Sequence, residues 1–439
     1  MTYTPLRSST LLLVAALAAC SDDATGDPST STTEASAPAS TGDTPTSTGD
    51  DTPTTAASDP PGTSSSGDAT STSTSATSGT TESSSSGEPG TTTDATTGGA
   101  DGWHPPDCAS VTGTGAVTFS HDEGATLAPM DQMIVPVHYT FGLVALGEPG
   151  RLLAGSGGEI LASDDYGCSW HSIGEASGGN TPAVILHAAG ATRAYGYGEN
   201  DSVLVRVDDE LITPLKSPSG PDGLVGLGVD PDDPDHVRIG DYLGKMWDSV
   251  DAGAQWSPIG TVAVETLAYR FAFDPHDLDH VVVGALGEGV LVSHDAGAMW
   301  QPATGLGPGD ANGFHVVVSP VDGDIVWVEG LDLEEPDESM SRHIWRSEDG
   351  GLTFTAAVDA DDATLYNGNH MFAHPTDGDV LYFVFGSNYQ NYGTDVFRYE
   401  HAGGTITTTH NKWHDTVLAF LPGDPAWMFL GLSIEPGGG

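Results

Sequence analysis

The feature that most limits the fold is an octad that returns along the chain. Ser163, Asp165, Gly167 and Trp170 set the pattern S-x-D-x-G-x-x-[W/F]. It recurs at Ser249, Asp251, Gly253 and Trp256, at Ser293, Asp295, Gly297 and Trp300, and at Ser347, Asp349, Gly351 and Phe354. Ser120, Asp122 and Gly124 keep the pattern without its aromatic residue, and decayed copies are due near Asp208-Asp209 and His401–Gly404. The interval of about 43 to 54 residues is the length of a four-stranded β repeat.

A second element precedes each octad: an apolar run, a proline turn with acidic residues, and another apolar run. Phe271-Ala272-Phe273-Asp274-Pro275 leads to Val281-Val282-Val283, and Val316-Val317-Val318-Ser319-Pro320 leads to Ile325-Val326-Trp327. Each repeat therefore reads strand, proline turn, strand, glycine loop, strand, octad hairpin, strand. The octad has a mechanical reason. Its Ser and Asp offer acceptors to the backbone of a tight turn, its Gly supplies positive φ, and its aromatic ring plugs against neighbouring strands. These residues are expected to be structural, and none is nominated as catalytic.

The pattern resembles the BNR/Asp-box propeller families, which include sialidases, the sortilin ectodomain, two-domain xyloglucanases and the photosystem II assembly factor of cyanobacteria and chloroplasts. The resemblance covers residues 103–439 and implies an all-β, seven-bladed β-propeller, with six or eight blades as alternatives. The chain ends on the first two strands of a repeat (Val417–Leu421 and Trp427–Gly431), whereas Gly115–Phe119 and the Ser120 octad begin as its last two. One blade shared by the two ends would close the ring and remove its open edges. The families differ in chemistry, so the resemblance does not choose a function.

Residues 1–20 read as an export signal: Arg7, the apolar run Leu11–Ala16, then Leu17-Ala18-Ala19-Cys20. The ending resembles the lipobox of bacterial lipoproteins, which implies lipidation of Cys20 and an extracytoplasmic protein anchored through acyl chains. An outer membrane or cell surface is favoured by Ser21. Residues 21–102 are rich in Ser, Thr, Gly and Pro, with no Lys, Arg or aromatic side chain. Such a segment has nothing to bury and reads as a disordered linker spanning about 50 Å. The remaining cysteines, Cys108 and Cys168, are candidates for a disulfide in that oxidising setting.

The 62 acidic and 12 basic side chains give a formal net charge of -50. That charge argues against nucleic acid and against membrane binding other than by the lipid.

Function is expected on the face opposite the octads, where loops lead into the first strands. The candidates there are His138, Tyr139, Tyr269, Arg270, Phe314, His315, His370, Trp413, His414 and Asp415, joined by Tyr389 and Tyr392 in a longer aromatic loop. No metal set is nominated; the acidic stretch Asp332–Glu338 offers oxygen ligands to Ca²⁺. Sialidase chemistry is disfavoured, because Met133-Ile134-Val135-Pro136 lacks the arginine that the family's Arg-Ile-Pro motif carries. The reading is a monomeric, non-catalytic binding or assembly module for protein or glycan; the alternative is a glycoside hydrolase acting on polysaccharide.

Overall fold

Proline turns, glycine loops and octad hairpins divide the chain into short antiparallel meanders. The computed structural model describes residues 117–129, 140–156, 158–176, 184–198, 201–307, 311–337, 339–368, 370–387, 392–411 and 417–431. All of them belong to the compact unit Gly90–Gly439. Cys20, the 21–102 linker and Cys108 lie outside the described residues, and so do His138, Tyr139, Tyr389, Trp413, His414 and Asp415.

After β1 (Val117–Ser120) and β2 (Ala128–Pro129), the meander β3 (Thr140–Ala145), β4 (Leu152–Ser156), β5 (Glu159–Ser163) and β6 (His171–Glu175) forms one sheet. The next holds β7 (Val184–Ala188), β8 (Arg193–Gly198), β9 (Leu204–Asp208) and β10 (Leu211–Pro214). A third is built from β11 (Leu224–Val229), β12 (Val237–Asp241), β13 (Lys245–Ser249) and β14 (Ser257–Thr261).

Two meanders follow that share one sheet. The first is β15 (Ala268–Asp274), β16 (Asp277–Ala285), β17 (Gly289–Ser293) and β18 (Gln301–Pro302). The second is β19 (Ala311–Val318), β20 (Val326–Asp332), β21 (Arg342–Ser347) and β22 (Thr355–Asp359). A parallel pairing, Gly289 with Asn312, joins their strands, and an isolated parallel bridge links Thr304 with Thr353. Then come β23 (Met371–Ala373), β24 (Val380–Ser387), β25 (Gly393–Glu400) and β26 (Thr405–Asn411).

The last strands, β27 (Val417–Phe420) and β28 (Met428–Gly431), do not form a sheet alone. β28 pairs antiparallel with β1, placing Phe119 opposite Phe429 and Ser120 opposite Met428. The sheet order β2-β1-β28-β27 therefore joins the first two and the last two of the described strands. Among the described residues the one helical element is a 3₁₀ turn at His401–Gly403, and no helix is long and apolar enough to cross a membrane.

Second strands are the most buried, and Leu152–Ser156 and Val237–Asp241 are buried along their whole length. Each is covered on both faces by neighbouring sheets, so their sequences run apolar instead of alternating. Fourth strands such as His171–Glu175 and Ser257–Thr261 are largely exposed and form the outer rim.

The core lies between sheets. Leu153 and Ile160 pack with Val184 and Val205 across one boundary, and Val380 and Tyr382 pack with Leu418 and Met428 across another. Val117 and Phe429 from the shared sheet pack with Leu143 and Leu152 of the first meander, so the circle closes on itself. Each fully buried side chain of this size contributes about 1.5–3 kcal/mol. The result is an all-β, propeller-like molecule.

The octad hairpins are held alike. In Ser293–Trp300 the Ser293 Oγ accepts from Gly297 N at 2.8 Å and donates to Asp295 Oδ1 at 2.9 Å. Asp295 Oδ1 also accepts from Met299 N at 2.8 Å. The same three bonds recur from Ser120, Ser163, Ser249 and Ser347. The decayed copy at Asp208 works differently: its carboxylate accepts from Arg193 Nε and Arg206 Nε, each at 2.6 Å.

Candidate functional site

First strands from all around the circle line a central cavity of about 550 Å³. Small residues let these strands approach closely. A Cβ on Gly226 would stand 2.5 Å from the Phe271 carbonyl oxygen, and one on Gly228 would stand 2.5 Å from Phe273 Cβ.

Arg270, His315 and His370 each lie five residues ahead of a turn proline: Pro275, Pro320 and Pro375. Equal offset places them at one level on consecutive first strands, and the three line the cavity. The Arg270 guanidinium meets His315 Nε2 at 3.2 Å and donates to the Tyr197 hydroxyl at 3.1 Å. The rings of His315 and His370 lie 5.7 Å apart. Beside them, Tyr269 meets Phe314 edge to face at 5.2 Å, Tyr269 being 44% exposed and Phe314 buried. Thus Arg270, His315 and His370 form one cluster at the cavity, and Tyr269 and Phe314, their neighbours along β15 and β19, form an aromatic pair outside its lining.

The sequence did not single out His187, Tyr197, Glu329 or Tyr366. His187 belongs to a repeat that lacks both the proline turn and an intact octad, so no offset marked it. Its ring stacks on Tyr197 at 5.9 Å and lines the cavity. Glu329 pairs with His315 across β19 and β20 and is fully buried. Its Oε2 accepts from Gly368 N at 2.9 Å, while Oε1 has no hydrogen-bond partner among the described residues.

Burial and the nearby Arg270 charge lower the His187 pKa to about 4. Burial, with Arg270 and His370, holds His315 well below the usual range. Burial pushes Glu329 well above the carboxylate range, against its bond from Gly368. Tyr366 is pushed up to about 12 by burial, then by Glu329 and Tyr269. The cluster therefore presents two imidazoles, His187 and His315, held toward their neutral form, a carboxyl whose ionisation burial opposes, aromatic edges and one guanidinium. Such a set orients polar and aromatic groups of a ligand.

The acidic and aromatic loops satisfy themselves. Asp332 Oδ1 accepts from Glu334 N at 2.9 Å, and Asp337 Oδ1 from Ser339 N at 3.0 Å. The Tyr392 hydroxyl donates to Asp395, and its ring meets Phe385 and His410 edge to face. Among the described residues, ligand-type atoms converge at Asp164, His171 and Glu210, within 4.8 Å of one another. All three are exposed, and Asp164 is already engaged by Arg151. Cys168 is disulfide-bonded, its partner lying outside the described residues.

No family model matches the sequence. The fold is similar to a GH74 enzyme of Niastella koreensis, with TM-score 0.52 and 16% identity over 67% of this chain and 51% of that one. It is similar to the GH74 xyloglucanase from Xanthomonas campestris, with TM-score 0.50 and 17% identity over the same 67% and 51%. The chain spans about half the length of each enzyme. At that identity the likeness concerns the propeller fold alone. In sequence the chain is similar to the Dispase autolysis-inducing protein of Streptomyces mobaraensis, 46% identical over 342 residues, 75% of this chain and 90% of the relative. By that identity and coverage, the chain belongs to the Dispase autolysis-inducing protein family.

Proposed function

We propose that this protein is a non-catalytic protein-binding module that engages a secreted protease and promotes its self-digestion. The observation that carries this reading is the 46% identity to a protein whose name assigns it the induction of dispase autolysis. The cavity cluster supports it, since His187 and His315 are held neutral and Glu329 is enclosed. We read the circle as seven four-stranded blades carrying Asp-box hairpins, with the loop face around Tyr269 and His370 as the binding surface. The module is displayed outside the cell, lipidated at Cys20 and tethered by residues 21–102.

The test is a time course of dispase with and without the protein, following intact dispase by gel and mapping its fragments. Faster loss of dispase into self-cleavage fragments is the expected result. An unchanged course overturns the reading. Release of reducing ends from xyloglucan in a parallel assay would favour the glycoside hydrolase instead.

A further inference from the structure

Side chains tie neighbouring repeats together on the hairpin face. The fourth residue of the S-x-D-x-G loop has positive φ at Glu123, Ala252 and Gly350, and at Asp209 in the decayed copy. Its N–H is used within its own repeat, as in Ala252 N to Asp235 O at 2.8 Å and Gly350 N to Asp324 O at 2.9 Å. Its carbonyl accepts a side chain from the preceding repeat. Arg151 Nη2 donates to Asp209 O at 2.5 Å, Arg206 Nη1 to Ala252 O at 3.2 Å, and the Tyr382 hydroxyl to Glu123 O at 3.0 Å. At Gly350 the equivalent contact comes from His280 Nε2, at 2.9 Å.

Arginine and tyrosine keep their protons throughout the neutral range, whereas an imidazole does not. The second ring nitrogen of His280, Nδ1, faces Asp274 Oδ2 at 3.1 Å. A carboxylate and a carbonyl only accept, so both bonds exist together only when both ring nitrogens carry hydrogen. His280 is 4% exposed, and the His294 ring stacks on it at 4.4 Å and 15°.

The charged groups around it come from three places. Its own turn and strand supply Asp274, His276, Asp277 and Asp279, the last paired with Arg238. The hairpin of the same repeat supplies His294 and Asp295, and the next repeat supplies Asp324. Glu348 and Asp349 precede Gly350 in sequence, and Glu348 is held by Arg346.

We propose that His280 is a proton-operated tie between two neighbouring repeats. Charged, it clamps Asp274 and the Gly350 carbonyl together. Uncharged, it keeps one of those bonds and turns a lone pair toward the other acceptor, loosening the Ser347–Phe354 hairpin against the Asp274 turn. The corresponding ties through Arg151, Arg206 and Tyr382 use guanidinium and phenol groups, so this joint is the one among them built on an imidazole.

Burial lowers the proton affinity of His280, and the bonds to Asp274 and Gly350 outweigh it, leaving a folded value above the ordinary one. A raised folded value means that the contribution is complete below the free imidazole pKa of about 6.5 and is lost as pH rises through the folded value.

The test uses the full chain. The His280 ring resonance is followed by NMR from about pH 5 to about pH 9, and urea unfolding compares the native protein with His280→Gln over the same range. The expected ring titration lies above that of a free imidazole. The expected stability advantage over H280Q is largest near pH 6 and gone near pH 9. A His280 resonance titrating at or below the free value, or an advantage constant with pH, overturns the proposal. Where H280Q does not fold, the ring titration of the native protein decides alone.

Discussion

The hydroxyl of Tyr382 donates to the carbonyl oxygen of Glu123 at 3.0 Å, joining residues 259 positions apart in the chain. Glu123 follows β1, which shares a sheet with β28, and Tyr382 belongs to the preceding sheet. The contact fastens the sheet that holds β1 and β28 to its neighbour. Tyr382 is fully buried, and burial pushes its pKa up to about 12. Tyr382→Phe keeps the packing and removes the bond. It is expected to cost about 1 kcal/mol in urea unfolding, because it leaves a half-buried carbonyl without this donor. An unchanged midpoint would argue that the closing sheet is not held this way.

Ser293→Ala tests the hairpin staple. The Ser293 hydroxyl is buried and serves Gly297 N, Asp295 N and Asp295 Oδ1 at once. Removing it leaves the Gly297 N–H unanswered at a residue whose φ is 82°. A loss of about 1–3 kcal/mol is expected, with partner binding unaltered. Loss of binding at full stability would show that the hairpin has a functional role.

Acid should weaken the protein in two stages. The folded His187 pKa of about 4 lies below that of a free imidazole, so the unfolded chain binds a proton that the native cavity excludes. That contribution is complete above about pH 6.5 and is lost as pH falls toward about 4. The hairpin carboxylates act next. Asp251 and Asp295 are lowered by backbone bonds from Gln255 and Met299 and by the Ser hydroxyls, so their contribution is lost as pH falls further, through the folded values. Melting temperature against pH checks both stages, and His187→Gln should flatten the upper one.

Much of this was legible in residue order. The octads located the hairpins, and the pairing of β28 with β1 is where the half-repeats at the two chain ends pointed. The common offset of five residues before Pro275, Pro320 and Pro375 put Arg270, His315 and His370 on one level. Less legible was the repeat containing His187, where Asp208 and two arginines replace the serine staple. A carboxylate salted by guanidinium groups serves the same turn with different residue types, so a pattern search passes over it. Glu329 was hidden for another reason: its role follows from burial opposite His315, which pairing across β19 and β20 creates and spacing does not reveal.

The most direct test of the central claim compares the two faces of the circle as surfaces for the proposed protease partner, held catalytically inactive. Tyr269 is 44% exposed beside the cavity cluster, and Met299 is 71% exposed on the hairpin face. By calorimetry, Tyr269→Ala is predicted to weaken binding about tenfold or more, as loss of an aromatic anchor does, while Met299→Ala leaves it unchanged. Weakening by Met299→Ala alone, or by neither substitution, would contradict the account.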